Sequence, residues 1–310
     1  MDTNITQVKI SNKLVKTLST SPTKIKDILN NKMYLSFTIS KRNGKRRWID
    51  APQKDLKEIQ QKILYDILYQ VAPSSAAFGF IKNRNAIDGA KKHLTNKLLL
   101  ELDLENYFTN INYGMVISGF YYVLNSINDR NKKGDSFDVK NDAKVLAAIC
   151  TYKGVLPQGA PTSPALANII TKPLDADLIL ISNKFKVTYS RYADDLTFSH
   201  QDLNFDIDAF MVNIKTIIKF NGFKVNNNKT RILRPHRRQQ ITGVVINDKL
   251  SISKPYYRNT RAAIHNIKLN KVKITTKYLQ KLKGRIEWIR NIDPVKGERL
   301  KTKLYEALYV

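Results

Sequence analysis

Leu56, Ile59, Ile63 and Ile67 fall at the three- and four-residue spacing that lines one face of a helix, so the chain after Pro52 is read as an amphipathic helix over 54–70. Before it, residues 35–49 hold two β-type segments around the turn pair Asn43-Gly44. Lys41, Arg42, Lys45, Arg46 and Arg47 flank that turn and make it a basic hairpin. Lys97 to Leu104 reads as a buried strand ending in acid, and the polar, charged stretch from Ser126 to Asp142 predicts an exposed loop or insertion. Helical periodicity returns from Ala143 to Thr151 and between Pro164 and Asn183. Two runs of β-formers, Val187-Thr188-Tyr189 and Leu196-Thr197-Phe198, then enclose Tyr192-Ala193-Asp194-Asp195, which predicts strand, tight acidic turn, strand. A helix over 204–221 follows. Past Ile241-Thr242-Gly243 the pattern is helical and basic, with Leu279, Leu282, Ile286 and Ile289 on one face and Lys277, Lys281, Lys283, Arg285 and Arg290 around it.

Strands and helices mix along the chain without an internal repeat, which predicts an α/β (α+β) fold of continuous subdomains. Its 310 residues, 42% of them hydrophobic, can bury a sizeable core as one large domain or two to three subdomains. Charge sharpens this picture. The 53 Lys and Arg against 26 Asp and Glu leave a net +27, more than solubility requires, and favour a polyanionic partner, nucleic acid first. A membrane surface would also attract such charge, but the sequence has no run of about 18 apolar residues and no signal peptide. No membrane partner and a cytoplasmic location are therefore expected. The single cysteine, Cys150, excludes an intramolecular disulfide and, next to the apolar run Val145 to Ile149, reads as a buried structural thiol. His93, His200, His236 and His265 are scattered without zinc-like spacing, so any metal is expected to be held by oxygen, which suits Mg²⁺.

In so basic a chain the acid pair at 194 and 195 stands out. By itself an Asp-Asp turn is ordinary turn chemistry. Two other segments change its meaning. Leu102-Asp103-Leu104-Glu105-Asn106-Tyr107-Phe108 puts an acid at the end of an apolar strand with an aromatic five residues later, and Leu156-Pro157-Gln158-Gly159-Ala160-Pro161-Thr162-Ser163-Pro164 is a Gly/Pro-rich loop running into a helix. In that order and spacing the three segments resemble motifs A, B and C of reverse transcriptases, over nearly the whole chain. Within that superfamily the sequence resembles bacterial retron reverse transcriptases, through its compact length, Ala77-Phe78-Gly79-Phe80, the 156–164 loop and Arg191 to Leu196. Gly89-Ala90-Lys91-Lys92-His93 stands where the family commonly has Asn-Ala-x-x-His, and Ile241-Thr242-Gly243 where it has Val-Thr-Gly.

The resemblance implies a right-hand polymerase architecture. Residues 1–100 would form the N-terminal region and fingers, 101–245 the palm of antiparallel sheet plus helices with part of the fingers, and 246–310 a small, basic, helical thumb. It implies an RNA-directed DNA polymerase in which a primer hydroxyl attacks an α-phosphate while two Mg²⁺ ions, replaceable by Mn²⁺, stabilise the attacking and leaving oxygens. Asp103 and Asp194 would hold the ions, with Asp195 beside them and the backbone carbonyl of Leu104 as a further ligand. Phe108 resembles the family's steric gate against a 2′-hydroxyl; its alternative is a core aromatic. Gln158 and Gly159 would line the nucleotide pocket, with Gly159 allowing close backbone approach. Lys45 and Arg47 are candidates to clamp the triphosphate, and a merely solvated hairpin stays open for each. Gly222-Phe223-Lys224-Val225 with Asn228-Lys229-Thr230 resembles motif D, which makes Lys229 a proton donor to pyrophosphate or else a plain surface lysine. Ile241, Thr242 and Gly243 would hold the primer end, and His93 would add a primer or template contact.

For a retron enzyme the implied partners are a cognate structured non-coding RNA, its DNA product, deoxynucleoside triphosphates and an effector protein of an anti-phage defence system. The product would be a branched RNA–DNA hybrid (msDNA) primed from a guanosine 2′-hydroxyl. No RNase H-like stretch follows residue 245, so template removal would fall to host RNase H. The alternatives are a reverse transcriptase of another bacterial lineage (group II intron-like or diversity-generating), a non-catalytic RNA-binding scaffold held by charge, and an unrelated metal-dependent nuclease. The Gln158-Gly159 loop and the aromatic after Asp103 disfavour the last.

Overall fold

In the computed structural model the described residues are 8–31, 33–40, 44, 46–131 and 134–309. Helices α1 (Asn12–Thr17) and α2 (Pro22–Asn30) open the chain, each started by a serine, Ser11 or Ser21, whose hydroxyl accepts from a backbone N–H of the first turn. The basic hairpin follows as β1 (Tyr34–Ser40) and β2 (Arg46–Pro52) in antiparallel register. Its tip residues Lys41, Arg42, Asn43 and Lys45 lie outside the described residues. The helix expected over 54–70 is α3 (Lys54–Asp66) with a short 3-10 turn at Leu68–Gln70, and α4 (Ala86–Lys91) starts from an Asn85/Asp88 capping box.

Strand β3 (Leu98–Asp103) leads to the single turn α5 (Tyr107–Asn110), then to helices α6 (Tyr113–Arg130) and α7 (Val139–Cys150). These two helices correct the exposed loop expected over 126–142. Only the residues between Arg130 and Val139 connect them. The polar side chains of that stretch serve as internal partners: Asn128 bonds both backbone groups of Phe137 (2.9 and 3.0 Å), and the fully buried Asp142 accepts from the backbone of Ser11 and of Asp138. Ile127 and Phe137 are buried between them.

The helix expected over 164–183 is two, α8 (Ser163–Ile170) and α9 (Lys172–Lys184). The break sits at Thr171, one residue before the first turn of α9, where Pro173 has no N–H to continue the α8 ladder. Strands β4 (Thr188–Tyr192) and β5 (Asp195–His200) form the acidic hairpin, and α10 (Ile207–Phe220), a 3-10 turn at Asn227–Lys229 and β6 (Arg231–Leu233) follow. Three short strands, β7 (Gln240–Ile241), β8 (Val244–Val245) and β9 (Ser251–Ile252), precede the C-terminal helices α11 (Lys254–Lys268), α12 (Thr276–Ile292) and α13 (Pro294–Tyr309).

The central antiparallel sheet has the order β4-β5-β3-β6. Because successive strand residues point to opposite faces, Leu100 and Leu102 of β3 and Leu196 and Phe198 of β5 enter one core with α3 and α6 to α10. Leu99, on the other face of β3, joins Ala90, Ile241, Val244 and the apolar faces of α11 to α13 in a second core. Between these cores the second face of the sheet carries Glu101, Asp103, Asp195 and Thr197, where charge can meet water. Among the described residues no helix is long and apolar enough to cross a membrane.

Candidate active site

Asp103 and Asp195 are direct cross-strand partners, the last pair of β3 and β5, so two carboxylates lie opposite one another at the end of the two inner strands. Like charges in that position repel, and the fold accepts the cost. Asp194 sits one residue earlier, in the two-residue loop Ala193-Asp194 that closes β4 onto β5. Ala193 takes φ +56°, a left-handed value that favours glycine. The loop is pinned to β3 by the Leu104 N–H, which donates to the Asp194 carbonyl at 2.9 Å.

A second segment crosses beside Asp103. The Asn226 N–H donates to the Asp103 carbonyl (2.8 Å), the Asn226 amide to Asp103 Oδ1 (3.2 Å), and Lys229 Nζ to Asp103 Oδ2 (2.6 Å). The motif D-like stretch and the strand-end acid are therefore one structural unit.

The acids also affect one another's charge. Asp194 is raised above the usual carboxylate range, first by burial and then by Asp103, with Lys229 and Arg47 working against the shift. Asp195, the first residue of β5 and a lining residue of the cleft described below, is pushed up to about 7 by desolvation and then by Asp194, Asp103 and Glu101. Burial pulls Lys229 down, but its bond to Asp103 and the charges of all three aspartates raise it overall. The charges that raise Asp194 and Asp195 would be eased by a divalent cation. The donors are all oxygen, as Mg²⁺ prefers. Among the described residues no group of three or more His, Cys, Asp or Glu is arranged to hold a metal ion by itself. Mg²⁺ commonly takes one or two carboxylates and completes its shell with water and nucleotide phosphates. The donor set thus fits the metal expected for it, through Asp103, Asp194 and Asp195.

Asp103, Asp195 and Lys229 open onto a cleft of about 480 Å³ shared with Glu101, Arg231, Arg238 and the β7–β8 turn. That turn is Thr242-Gly243, with φ of +44° and +93°; positive values at both central residues are the type I′ pattern that fits a two-residue hairpin. Thr242 and Gly243 line the cleft, while the Ile241 side chain is buried in the second core.

On the other side of the acids, Phe108 is half-buried on α5, with its ring 5.3 Å from Tyr107 and 6.4 Å from Phe80. Phe80 is itself 6.3 Å from Tyr192 and half exposed, in a left-handed backbone conformation. Gln158 is half-buried, and its carbonyl accepts from Asp50 N–H of β2 at 2.8 Å. Gly159, at φ +134°, meets β2 even more closely: a Cβ there would stand 2.8 Å from the Asp50 carbonyl oxygen. The close approach that this glycine permits in the structure is to the hairpin. Arg47 is exposed on β2 and near enough to oppose the upward shift of Asp194. Lys45 falls outside the described residues. The Leu104 side chain is buried.

His93 departs from its expected place. It is fully buried, its two ring nitrogens each 2.7 Å from a serine hydroxyl, Ser199 on β5 and Ser190 on β4. With both nitrogens engaged inside the protein, it offers no face to a primer or template. Burial and then Lys92 lower its pKa to about 3, so it is a neutral tie between strands.

Three functional neighbours escaped the sequence reading. Asn226 falls between the two motif D-like segments and belongs to neither, Phe80 stands out only as part of the 77–80 stretch, and Asp175, the partner of Arg191, is one acid within a stretch read as helix. Only the stray charge at 191, between β-formers in a buried strand, could have prompted a search for its counter-ion.

Residues 39–246 match the family described as reverse transcriptase (RNA-dependent DNA polymerase). The retron Mx162 reverse transcriptase of Myxococcus xanthus is 29% identical over 88% of this chain and 60% of its own length, so the chain spans less than two thirds of that relative. The retron Ec86 reverse transcriptase of Escherichia coli is 31% identical, covering 87% of this chain and 79% of the relative. In structure, the telomerase of Candida albicans shares the fold at a TM-score of 0.50 and 12% identity, over 89% of this chain and 58% of that one. The shared fold is the right-hand polymerase fold, and the chain belongs to the reverse transcriptase family, among its retron members.

Proposed function

We propose that this protein is an RNA-directed DNA polymerase that binds a cognate structured non-coding RNA and copies part of it into DNA. The observation that carries the reading is the register pair Asp103–Asp195 with Asp194 at the adjoining turn, beside a cleft that also holds Lys229, Arg231 and Arg238. Asp103 and Asp194 would hold the divalent ions, Asp195 would add charge beside them, and the Leu104 carbonyl would be a further ligand. Those ions, when bound, stabilise charge on the attacking and leaving oxygens. Lys229, already a donor to Asp103, gives a proton to the leaving pyrophosphate. Phe108 excludes a 2′-hydroxyl, Gln158 and Gly159 flank the incoming nucleotide, and Arg47 with Lys45 receives its triphosphate. Thr242 and Gly243 present backbone to the primer end.

In this reading residues 1–100 supply the fingers, 101–245 the palm and 246–310 the thumb. The likeness to retron reverse transcriptases supports a finer proposal. The product is a branched RNA–DNA hybrid primed from a guanosine 2′-hydroxyl, trimmed by host RNase H and used with an effector protein in cytoplasmic anti-phage defence. Purifying the protein from its host and sequencing the bound nucleic acid tests this. A 2′,5′-branched species whose mobility changes on debranching is expected; a solely linear product would contradict retron priming.

A further inference from the structure

Arg191 is the largest fully buried side chain among the described residues, and it stands three residues before Asp194. All three nitrogens of its guanidinium donate hydrogen bonds inside the protein. Nε and Nη2 grip the two carboxylate oxygens of Asp175 on α9 at 2.8 and 2.7 Å, a bidentate pair with neither side chain exposed. Nη1 fans to three acceptors: the Tyr107 hydroxyl (3.1 Å), Asn168 Oδ1 (3.0 Å) and the backbone carbonyl of Ala193 (3.2 Å). Tyr189 donates to Asp175 Oδ1 from the side (2.8 Å).

Desolvating such a pair is expensive, and well-packed apolar residues of similar volume often stabilise a core as well or better. Stability alone is thus a poor account of it. The last acceptor points to another. Ala193 is the residue held at φ +56°, where glycine would be at ease, and its carbonyl joins it to Asp194. The other side of the turn is also closed: a Cβ on Gly79 would stand 2.8 Å from the Ala193 nitrogen. The Asn168 amide ties the two sides together, donating to the Gly79 carbonyl at 2.9 Å while accepting from Arg191. Backbone bonds from Arg191 to Ala76 and from Phe78 to Arg191 complete the clamp.

We propose that Arg191 is a positioning residue for the polymerase site. Anchored by Asp175, it fixes the strained Ala193-Asp194 turn so that the Asp194 carboxylate is presented at a set distance from Asp103. Through the Tyr107 hydroxyl it also ties that turn to the helix that bears Phe108. The proposal rests on the reading of Asp194 as a metal-holding acid.

The test uses the full chain with the substitutions Arg191→Met, Asp175→Leu and Tyr189→Phe together, which removes the network without leaving a buried charge unpaired. Single-nucleotide incorporation on a primed RNA template is measured with Mg²⁺ at varied nucleotide concentration, alongside the melting temperature. The variant is expected to fold and to lose at least about tenfold in kcat with KM for the nucleotide changed less than about threefold, the pattern of a lost transition-state contribution. Adding Ala193→Gly to it relieves the positive-φ strain and is expected to recover kcat by roughly threefold or more, a rescue that a purely structural role does not give. A folded triple variant within about twofold of the wild-type kcat, or no recovery with Ala193→Gly, would overturn the proposal. If the triple variant does not fold, Arg191→Lys takes its place, since an ammonium cannot make the planar fork. The same kcat loss and the same rescue are expected of it, and a wild-type kcat overturns the idea. Asp194→Asn is run beside them. If it incorporates at the wild-type rate, the underlying reading of Asp194 fails and the proposal falls with it.

Discussion

Lys229 Nζ lies 2.6 Å from Asp103 Oδ2, joining a lysine that is 58% exposed to an acid side chain that is 9% exposed. The same lysine is raised above its ordinary pKa, so it stays protonated where pyrophosphate would leave. Lys229→Met is expected to slow nucleotide addition by roughly 10²-fold, the usual scale of general acid catalysis, with a smaller loss for Lys229→Arg. Single-turnover incorporation measures it. Equal rates for the methionine variant and wild type would make Lys229 a surface lysine.

Phe108 stands between Tyr107 and Phe80, with part of its ring open. Trimming it in Phe108→Val is expected to reduce the preference for deoxynucleotides over ribonucleotides by roughly 10–100-fold, the discrimination that one steric contact can supply. The ratio of kcat/KM for the two substrates checks this. An unchanged ratio with a lowered melting temperature would assign Phe108 to the core.

Gly159→Ala places a methyl 2.8 Å from the Asp50 carbonyl and 2.9 Å from Ile49 Cγ2, at a φ of +134° that alanine resists. The expected loss of stability is roughly 1–3 kcal/mol. Because β2 also carries Arg47, KM for the nucleotide should rise as well. Denaturant unfolding and nucleotide titration read the two effects, and an unperturbed stability would contradict the contact.

His93 has a folded pKa of about 3 against an ordinary 6.5. The unfolded chain therefore binds a proton that the folded chain refuses. Its contribution to stability is complete above the unfolded value and is lost as pH falls below it. Between pH 7 and 5 the loss amounts to about 2 kcal/mol from this group. Urea unfolding of wild type and His93→Asn at both pH values should show a shallower pH dependence for the variant. Parallel curves would mean that His93 is not buried in neutral form.

Much of this molecule could be read in its sequence because the signals were local. The alternation of Val187 to Phe198 gives β4 and β5, and the spacing of Leu56, Ile59 and Ile63 gives α3. The three motif segments name the family. What misled were residues whose meaning depends on distant partners. The charges of 126–142 suggested solvent, yet Asp142 answers Ser11 from 131 positions away. His93 suggested a nucleic-acid contact, yet two serines about a hundred residues later engage it. Period and composition report which face a side chain takes; they do not report what covers that face.

The central claim is that Asp103 and Asp194 together support DNA synthesis on an RNA template. Incorporation of labelled deoxynucleotides opposite a primed RNA is measured with Mg²⁺ for the wild type, Asp103→Asn and Asp194→Asn, each shown to be folded by its melting temperature. The account predicts robust synthesis by the wild type and loss of at least about 10³-fold in either variant, since each removes a ligand from the ions that stabilise the transition state. Synthesis at the wild-type rate by either folded variant would contradict it.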